Sequence, residues 1–412
     1  MEINSLISAQ HLHEGEMELT YEPAERIKNE KLVIGGDILD VFKQNLSDND
    51  LYIDDDEVIL EIIVGIIKGN IIIQGPPGTG KTAISKVICD TFNVESIVET
   101  AIDDWTTYDT IGGFFPDVKD GQQYVTGRNG RIVQSIVKCC ETIIRRERSG
   151  LIEEEKAGKK QASWLIIDEL NRAEIDKVFG DMFTILGSGD SLGERKLKLD
   201  FQENGKKELY VPNRYRIIGL MNNVDKNYVY DLSQALSRRF SFVTLMPPKE
   251  ESMPKELEVI KGSLHKRIMS KIEKFGDTTI DEQLINESIL KDELFVKYEK
   301  DLIDILKHVR YAEGTEGPDE AFLGAEIGTA IVKDLYEAIV VRLIVMNYMS
   351  KNTVEKEVLV KKVIDGAIAT NLLSQIDSQN YDKKQNFVNF FKEKREWEWC
   401  ETTIRGLINL SL

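Results

Sequence analysis

Between residues 51 and 246, short continuous apolar runs alternate with segments in which apolar residues recur every three or four positions. Continuous runs of this length are typical of strands buried in a parallel sheet, and the wider spacing is typical of helices that cover such a sheet. The predicted strands are Ile71–Ile73, Val94–Glu99, Trp164–Ile167, Tyr215–Met221 and Phe240–Leu245. Their alternation with helices predicts a doubly wound parallel-sheet α/β domain that binds its ligand at the carboxyl ends of the strands.

Two further patterns lie inside this domain. Apolar positions from Ile175 to Leu186 keep a helical spacing and predict one continuous helix. Asp120-Gly121 stands between two β-prone stretches, which predicts a hairpin closed by a primed turn.

The remaining chain differs from this pattern on either side. Residues 1–50 are mixed and acidic with weak periodicity, and they predict a short N-terminal segment. Residues 249–412 show helical spacing in Leu302–Val309, Ile331–Met349 and Val358–Leu373. The predicted organisation is therefore an N-terminal segment at 1–50, an α/β core at 51–248 and a helical region at 249–412.

Composition narrows the class of protein. The chain of 412 residues has a formal net charge of -18, which argues against a broad surface that holds nucleic acid electrostatically. Its 4 cysteines have no metal-ligand spacing, and we expect reduced thiols in a cytoplasmic protein. The apolar stretch Ala338–Met346 is short and contains Arg342, so no membrane association is expected.

The segment after the first predicted strand fits the pattern G-x-x-x-x-G-K-[ST]. Its residues are Gly75, Pro76, Pro77, Gly78, Thr79, Gly80, Lys81 and Thr82. Glycines allow consecutive backbone N–H groups to face one anion, because no side chain blocks the approach of a phosphate. Lys81 supplies a positive charge for the β- and γ-phosphates, and the Thr82 hydroxyl is a ligand for Mg²⁺. The sequence therefore predicts binding of a nucleoside triphosphate.

A second chemical element ends the third predicted strand. Asp168 and Glu169 follow the apolar run Trp164–Ile167, so both carboxylates are expected at the carboxyl end of a buried strand. Asp168 is predicted to hold Mg²⁺ through its water shell. Glu169 is predicted to orient and polarise the attacking water.

With these elements in order, the chain resembles AAA+ ATPases, and more narrowly the McrB-like motor subunits of the MoxR/dynein-related branch. The resemblance extends over residues 54–246. Its blocks are Leu165-Ile166-Ile167-Asp168-Glu169-Leu170-Asn171-Arg172-Ala173, Lys177-Val178-Phe179-Gly180, Ile217-Ile218-Gly219-Leu220-Met221-Asn222-Asn223-Val224-Asp225 and Ala235-Leu236-Ser237-Arg238-Arg239-Phe240. It implies a P-loop AAA+ core followed by a C-terminal helical lid domain.

The resemblance also implies roles for residues outside the P-loop. Asn222 would be the sensor-1 residue, which holds the attacking water near the γ-phosphate. Arg238 or Arg239 would be the arginine finger, which acts on the nucleotide of the neighbouring subunit. Arg172 and Asp225 would support the site or the subunit interface. These roles imply a homo-oligomer, expected as a hexameric ring, in which hydrolysis depends on assembly.

Substrate and partner remain open at this point. The wider superfamily uses ATP with Mg²⁺, whereas McrB-type motors are known for GTP. A restriction-type motor implies a separate nuclease subunit, with DNA reached only through that partner or the ring pore. A MoxR-like chaperone would instead act on a protein, with a von Willebrand-type partner subunit. A nucleotide-gated scaffold with negligible turnover is a third alternative, against which the intact Glu169 argues.

The roles of the aromatic residues in the predicted hairpin and of Arg310 stay open. Phe114, Phe115 and Tyr124 could face a pore or partner, or could pack the hairpin on its own domain, which we favour. Arg310 lies near a glycine-containing segment and is a candidate for the sensor-2 arginine of the lid, although no clear sensor-2 motif is present.

Overall fold

The computed structural model divides into two compact units. The first unit lies within Met1–Asn49, Asp55–Gly75 and Lys81–Leu245, and the second within Asp50–Asp54, Pro76–Gly80 and Met246–Leu412. The structure describes residues 27–119, 122–147, 155–156, 158–180, 182–187, 195–202, 208–222, 238–311, 322–376, 381–394 and 397–410.

The first unit mixes helices and strands. In chain order they are α1 Ile38–Asp48, α2 Asp56–Lys68, β1 Asn70–Gly75, α3 Lys81–Thr91, β2 Glu95–Thr100, α4 Thr107–Thr110, β3 Gly112–Lys119, β4 Gln122–Asn129, α5 Arg131–Glu147, β5 Ser163–Asp168, α6 Ile175–Phe179, α7 Met182–Gly187, β6 Lys196–Lys198, β7 Glu208–Tyr210, β8 Ile217–Asn222 and β9 Phe240–Thr244. A short 3₁₀ turn, Leu170–Arg172, follows β5.

A five-stranded sheet with the order β2-β5-β8-β1-β9 forms the centre of this unit. Its neighbouring strands pair in parallel, so their carboxyl ends share one edge. Consecutive residues Ile71–Ile73 of β1 and Ile166–Ile167 of β5 are fully buried. Because successive side chains of a strand point to opposite faces, burial of consecutive residues requires both faces to be covered. The predicted parallel α/β core is confirmed.

The strands at the centre of the sheet do not stay paired along their whole length. The ladder between β1 and β8 continues to Gly75 and Asn222 at the carboxyl edge. The ladder between β5 and β8 stops earlier, at Ile167 and Gly219. β5 itself ends one residue later, at Asp168, so the last residues of β8 extend past it toward the edge where the P-loop begins.

One predicted helix and one predicted hairpin can be compared directly with the structure. The prediction of a single helix from Ile175 to Leu186 is wrong, because α6 ends at Phe179. The next residue, Gly180, has a φ of 44° in the left-handed region. The hairpin is confirmed, since β3 and β4 pair antiparallel with Lys119 opposite Gln122. Its predicted turn residues, Asp120-Gly121, lie outside the described residues.

Helices dominate the second unit, as predicted. In chain order its α-helices and strands are α8 Met253–Met269, β10 Lys274–Phe275, β11 Thr278–Thr279, α9 Glu293–Arg310, α10 Thr329–Val345, α11 Thr353–Ala367, α12 Tyr381–Lys394 and α13 Glu398–Leu410. Two π-helical segments, Gln283–Ile289 and Ile368–Leu372, lie between them. None of the helices in the described part of the chain combines the length and apolar character needed to cross a bilayer.

A buried ion pair lies in the core of this second unit. Arg310 donates to both carboxylate oxygens of Glu256, at 2.6 and 3.1 Å, and the Thr329 hydroxyl donates to Glu256 Oε1 at 2.7 Å. Glu256 is 0% exposed and Arg310 is 3% exposed. A guanidinium that is buried and held by two bonds is already engaged, so the structure argues against Arg310 as a sensor-2 residue.

We expect Glu256→Ala to destabilise the second unit by about 3–5 kcal/mol, because the Arg310 charge would stay buried without its carboxylate. The measurement is the shift of the unfolding transition in denaturant, followed by circular dichroism. The double variant Glu256→Met/Arg310→Met is the matched control, since it removes both charges and leaves none stranded. A single variant as stable as the double variant would contradict the proposed energetics.

Candidate functional site

The P-loop follows β1, and helix α3 begins at its Lys81. Gly78 and Gly80 have φ values of 77° and 84°, in the left-handed region that side chains disfavour. A Cβ at Gly75 would lie 2.1 Å from the carbonyl oxygen of Leu245, so a side chain does not fit there either. These glycines are therefore required by the local backbone as well as by the approach of a phosphate.

Lys81 joins three elements at the carboxyl edge of the sheet. Its Nζ donates to the Gly75 carbonyl oxygen at 2.9 Å and to Asn222 Oδ1 at 2.6 Å. Lys81 is only 8% exposed, which places a positive charge in a largely desolvated setting. Such a charge interacts with an anion more strongly than a charge in bulk water does.

Thr82 and Asp168 form an oxygen pair beside it. The Thr82 hydroxyl donates to Asp168 Oδ2 at 2.8 Å. Within the described residues, no group of three or more His, Cys, Asp or Glu side chains could hold a metal ion. One hydroxyl and one carboxylate do fit Mg²⁺, which prefers oxygen ligands and usually keeps several waters beside substrate phosphates.

Glu169 has an unusual backbone and an incompletely bonded carboxylate. Its φ is 54°, and a non-glycine residue in the left-handed region costs of order 1–3 kcal/mol. Its Oε1 accepts from Asn222 Nδ2 at 2.9 Å, whereas the buried Oε2 makes no hydrogen bond in the structure. Arg172 Nε lies 3.3 Å from Oε2 as an ion pair. Strain and an open acceptor position both favour a functional role for this carboxylate.

Asn222 connects these groups. Its side chain contacts Lys81 through the amide oxygen and Glu169 through the amide nitrogen. The structure thus places five predicted site residues, Lys81, Thr82, Asp168, Glu169 and Asn222, at one edge of the sheet.

Arg238 and Arg239 lie at the opposite edge. They form the turn immediately before β9, and Phe240 of β9 pairs with Asn70 at the start of β1. The P-loop begins at the other end of β1, five residue steps away, which corresponds to about 16 Å at about 3.3 Å per residue. The structure therefore does not bring these arginines to the cluster around Lys81 in the same chain.

Sequence reasoning assigned no role to Asn171, which the structure connects to Asn222. Asn171 is 0% exposed, and its side chain meets the Asn222 backbone. The available signal was its position in a short polar segment directly after Asp168-Glu169, and that signal is common after many strands. Asp225, the other proposed support residue, lies outside the described residues.

The hairpin aromatics have different environments. Phe115 packs edge-on against Tyr108, with ring centroids 6.3 Å apart, and Arg128 lies over the Phe115 ring. Phe114 is 52% exposed and Tyr124 is 38% exposed. Packing on the same domain is therefore confirmed for Phe115, while Phe114 and Tyr124 face solvent in the single chain.

Comparisons with known proteins agree with this site. Residues 70–240 match the family described as AAA domain (dynein-related subfamily). The "Type IV methyl-directed restriction enzyme EcoKMcrB subunit" of Escherichia coli (strain K12) is 31% identical over 212 residues, which are 48% of this chain and 40% of that protein. This chain therefore spans less than half the length of that relative.

A solved structure of a candidate ATPase from Cytophaga hutchinsonii ATCC 33406 aligns with 80% of this chain and 85% of its own. Its sequence identity is 17% and its TM-score is 0.36. The family match extends over residues 70–240, the part of the chain that contains β1, the P-loop, β5 and β8. Over the matched region, the chain is similar to the McrB subunit, as its sequence blocks predicted.

Proposed function

We propose that this chain hydrolyses ATP with Mg²⁺ as one subunit of an oligomeric ring, and that the ring uses hydrolysis to remodel or translocate a substrate. The observation that carries the proposal is the continuous contact from Lys81 through Asn222 to Glu169. This contact links the group expected to bind phosphate to the group expected to activate water.

Different residues of the site bind the phosphates and the metal ion. Lys81 exchanges its present oxygen partners for the β- and γ-phosphates, while the N-terminus of α3 and the glycine backbone provide N–H donors. Thr82 and Asp168 would hold Mg²⁺, which neutralises charge on the phosphates when it is bound. GTP remains the alternative nucleotide.

Glu169 and Asn222 act on water. The Glu169 carboxylate accepts a hydrogen bond from the attacking water and withdraws its proton as the bond from the water oxygen to the γ-phosphorus forms. The bond from the γ-phosphorus to the bridging oxygen breaks in the same reaction, and ADP leaves. Asn222 orients this carboxylate through the bond from its amide nitrogen to Oε1. The strained backbone of Glu169 supports the proposal, because such strain persists where function requires one fixed geometry.

The position of Arg238 and Arg239 supports assembly. They lie at the opposite edge of the sheet from Lys81 in the same chain, so the proposed finger acts on the nucleotide of an adjacent copy. A closed ring of identical subunits, expected as a hexamer, repeats such a head-to-tail contact around its circumference.

The partner follows from the similarity rather than from the geometry. Likeness to the restriction enzyme subunit favours a motor that works beside a separate nuclease, with DNA reached through that partner or the ring pore. The net charge of -18 favours the alternative, a chaperone that acts on a protein such as a von Willebrand-type subunit. Salt-dependent binding of DNA by the assembled ring would support the first, and its absence would support the second.

We expect Glu169→Gln to lower the turnover number by roughly 10²–10⁴-fold with nucleotide binding retained, because glutamine cannot accept the proton of water. Phosphate release and equilibrium binding of ATP would be measured on the same preparation. Glu174→Gln is the matched control, since Glu174 is an exposed acid on the same segment that pairs with Lys177. Equal and near-zero rates in wild type and Glu169→Gln would leave the scaffold alternative standing.

A further inference from the structure

Because β5 ends at Asp168, the end of β8 has no strand partner on one side. Asn222 pairs with Gly75 of β1, but the ladder to β5 has already ended at Gly219. Backbone N–H and C=O groups that are buried without partners are costly, so something other than a strand must meet Asn222 on this side.

The side chain of Asn171 forms hydrogen bonds with the backbone of Asn222 on this side. Asn171 Nδ2 donates to the Asn222 carbonyl oxygen at 3.3 Å, and the Asn222 N–H donates to Asn171 Oδ1 at 3.4 Å. A carboxamide carries the same donor and acceptor as a peptide group, so one side chain replaces the missing segment of strand. Both bonds are long, and their effect lies in their direction and in the complete burial of Asn171 more than in individual strength.

A second contact holds the 3₁₀ turn Leu170–Arg172, which contains Asn171, against β8. Leu170 is fully buried, and a Cβ at Gly219 would lie 2.6 Å from Leu170 Cδ2. The missing side chain at Gly219 therefore makes room for Leu170. With Leu170 and Asn171 fixed on β8, the preceding Glu169 is kept in its left-handed conformation, which persists where the surroundings over-determine it.

We propose that Asn171 is a positioning residue for hydrolysis, which fixes Glu169 and Asn222 relative to each other without contacting the nucleotide. This inference rests on the proposed ATP hydrolysis. The Asn171 carboxamide holds the Asn222 backbone, and the Asn222 side chain holds the Glu169 carboxylate. Loss of the first contact allows the water-activating group to move, while the bond from Lys81 to the Gly75 carbonyl oxygen stays in place.

The test compares Asn171→Ala with wild type in turnover number and in equilibrium affinity for ATP. We expect the turnover number to fall on the order of 10²-fold, since a displacement of about 1 Å caused away from the chemistry can have this effect. Affinity for ATP should be unchanged. Asn45→Ala is the matched control, because it also removes a half-buried asparagine bond, to Thr91, and should keep wild-type turnover.

A double variant separates positioning from general damage. If Asn171 acts through Asn222, then Asn171→Ala should lower turnover no further when Asn222→Ala is already present, because residues that act as a unit are not additive. Asn171→Asp keeps the acceptor for the Asn222 N–H and the side-chain shape. It should fall between wild type and Asn171→Ala, and it serves as the test variant if the alanine variant does not fold.

Two results would overturn the inference. One is wild-type turnover in both Asn171 variants, and the other is an equal loss of ATP affinity and turnover, which would indicate a purely structural role. Failure of the proposed function is distinguishable, because wild type itself would then release phosphate no faster than Lys81→Ala.

Discussion

Lys81→Ala is expected to abolish detectable nucleotide binding, with affinity for ATP reduced by at least about 100-fold. Bonds from a charged donor contribute roughly 1.5–3 kcal/mol each, and Lys81 is expected to contact two phosphates. Each 1.4 kcal/mol is about tenfold in affinity, so loss of two such bonds corresponds to roughly 10²–10⁴-fold. Titration of the protein with a fluorescent ATP analogue, or calorimetry, measures this change.

The matched control for this variant lies on the same helix. Lys86 is an exposed residue of α3, and Lys86→Ala removes the same formal charge at a distance from the P-loop. Its affinity for ATP should equal that of wild type. Thermal unfolding of Lys81→Ala must be checked as well, because the Gly75 carbonyl and the Asn222 side chain each lose a partner. A folded Lys81→Ala protein with unchanged affinity would remove the assignment of the nucleotide site.

The second large effect is expected on turnover, from removal of the proposed arginine finger. Arg238→Ala or Arg239→Ala should lower turnover by roughly 10³–10⁵-fold, as fingers do in GTPases, with ATP binding by the single chain unaffected. The reason is that the guanidinium stabilises negative charge that develops in the transition state, not in the bound nucleotide. Steady-state phosphate release and ATP affinity, measured in parallel, separate an effect on hydrolysis from an effect on nucleotide binding. Arg145→Ala, at an exposed position of α5, is the control.

Mixing two inactive variants tests whether the finger acts between subunits. A subunit with Lys81→Ala lacks nucleotide but retains both arginines, and a subunit with the inactive arginine variant retains nucleotide but lacks the finger. Each mixed interface can pair an intact P-loop with an intact arginine, so the mixture should recover part of the activity. Activity per wild-type subunit should also rise with protein concentration. Full turnover in both single arginine variants, or a mixture as inactive as its components, would exclude a finger in trans.

The strands and the P-loop were accessible from the sequence for a physical reason. A parallel sheet covered on both faces requires continuous apolar runs, so Ile71–Ile73 and Trp164–Ile167 identify buried strands without further information. The residue that ends each such strand must lie at the carboxyl edge of the sheet. Asp168 and Asn222 could therefore be placed near Lys81 before any distance was known.

Other features depend on contacts that no local pattern encodes. The bond between Asn171 and Asn222 depends on how far β8 continues past the end of β5, which is a property of the assembled sheet. The end of α6 at Phe179 depends on the left-handed backbone of Gly180, whereas the apolar spacing around it continues as if one helix were present. Arg310 illustrates the same limit, since its position near a glycine-containing segment gave no sign of its buried partner Glu256.

The length of β1 has a consequence for the life of the protein. The strand separates the P-loop from the turn that contains Arg238 and Arg239. Under the proposed function, we therefore expect a single copy to bind ATP without hydrolysing it. Such a copy would remain an inactive, nucleotide-bound monomer until it associates with a second subunit. Under the proposed function, the geometry of the sheet thereby makes the activity of each subunit depend on the concentration of the protein.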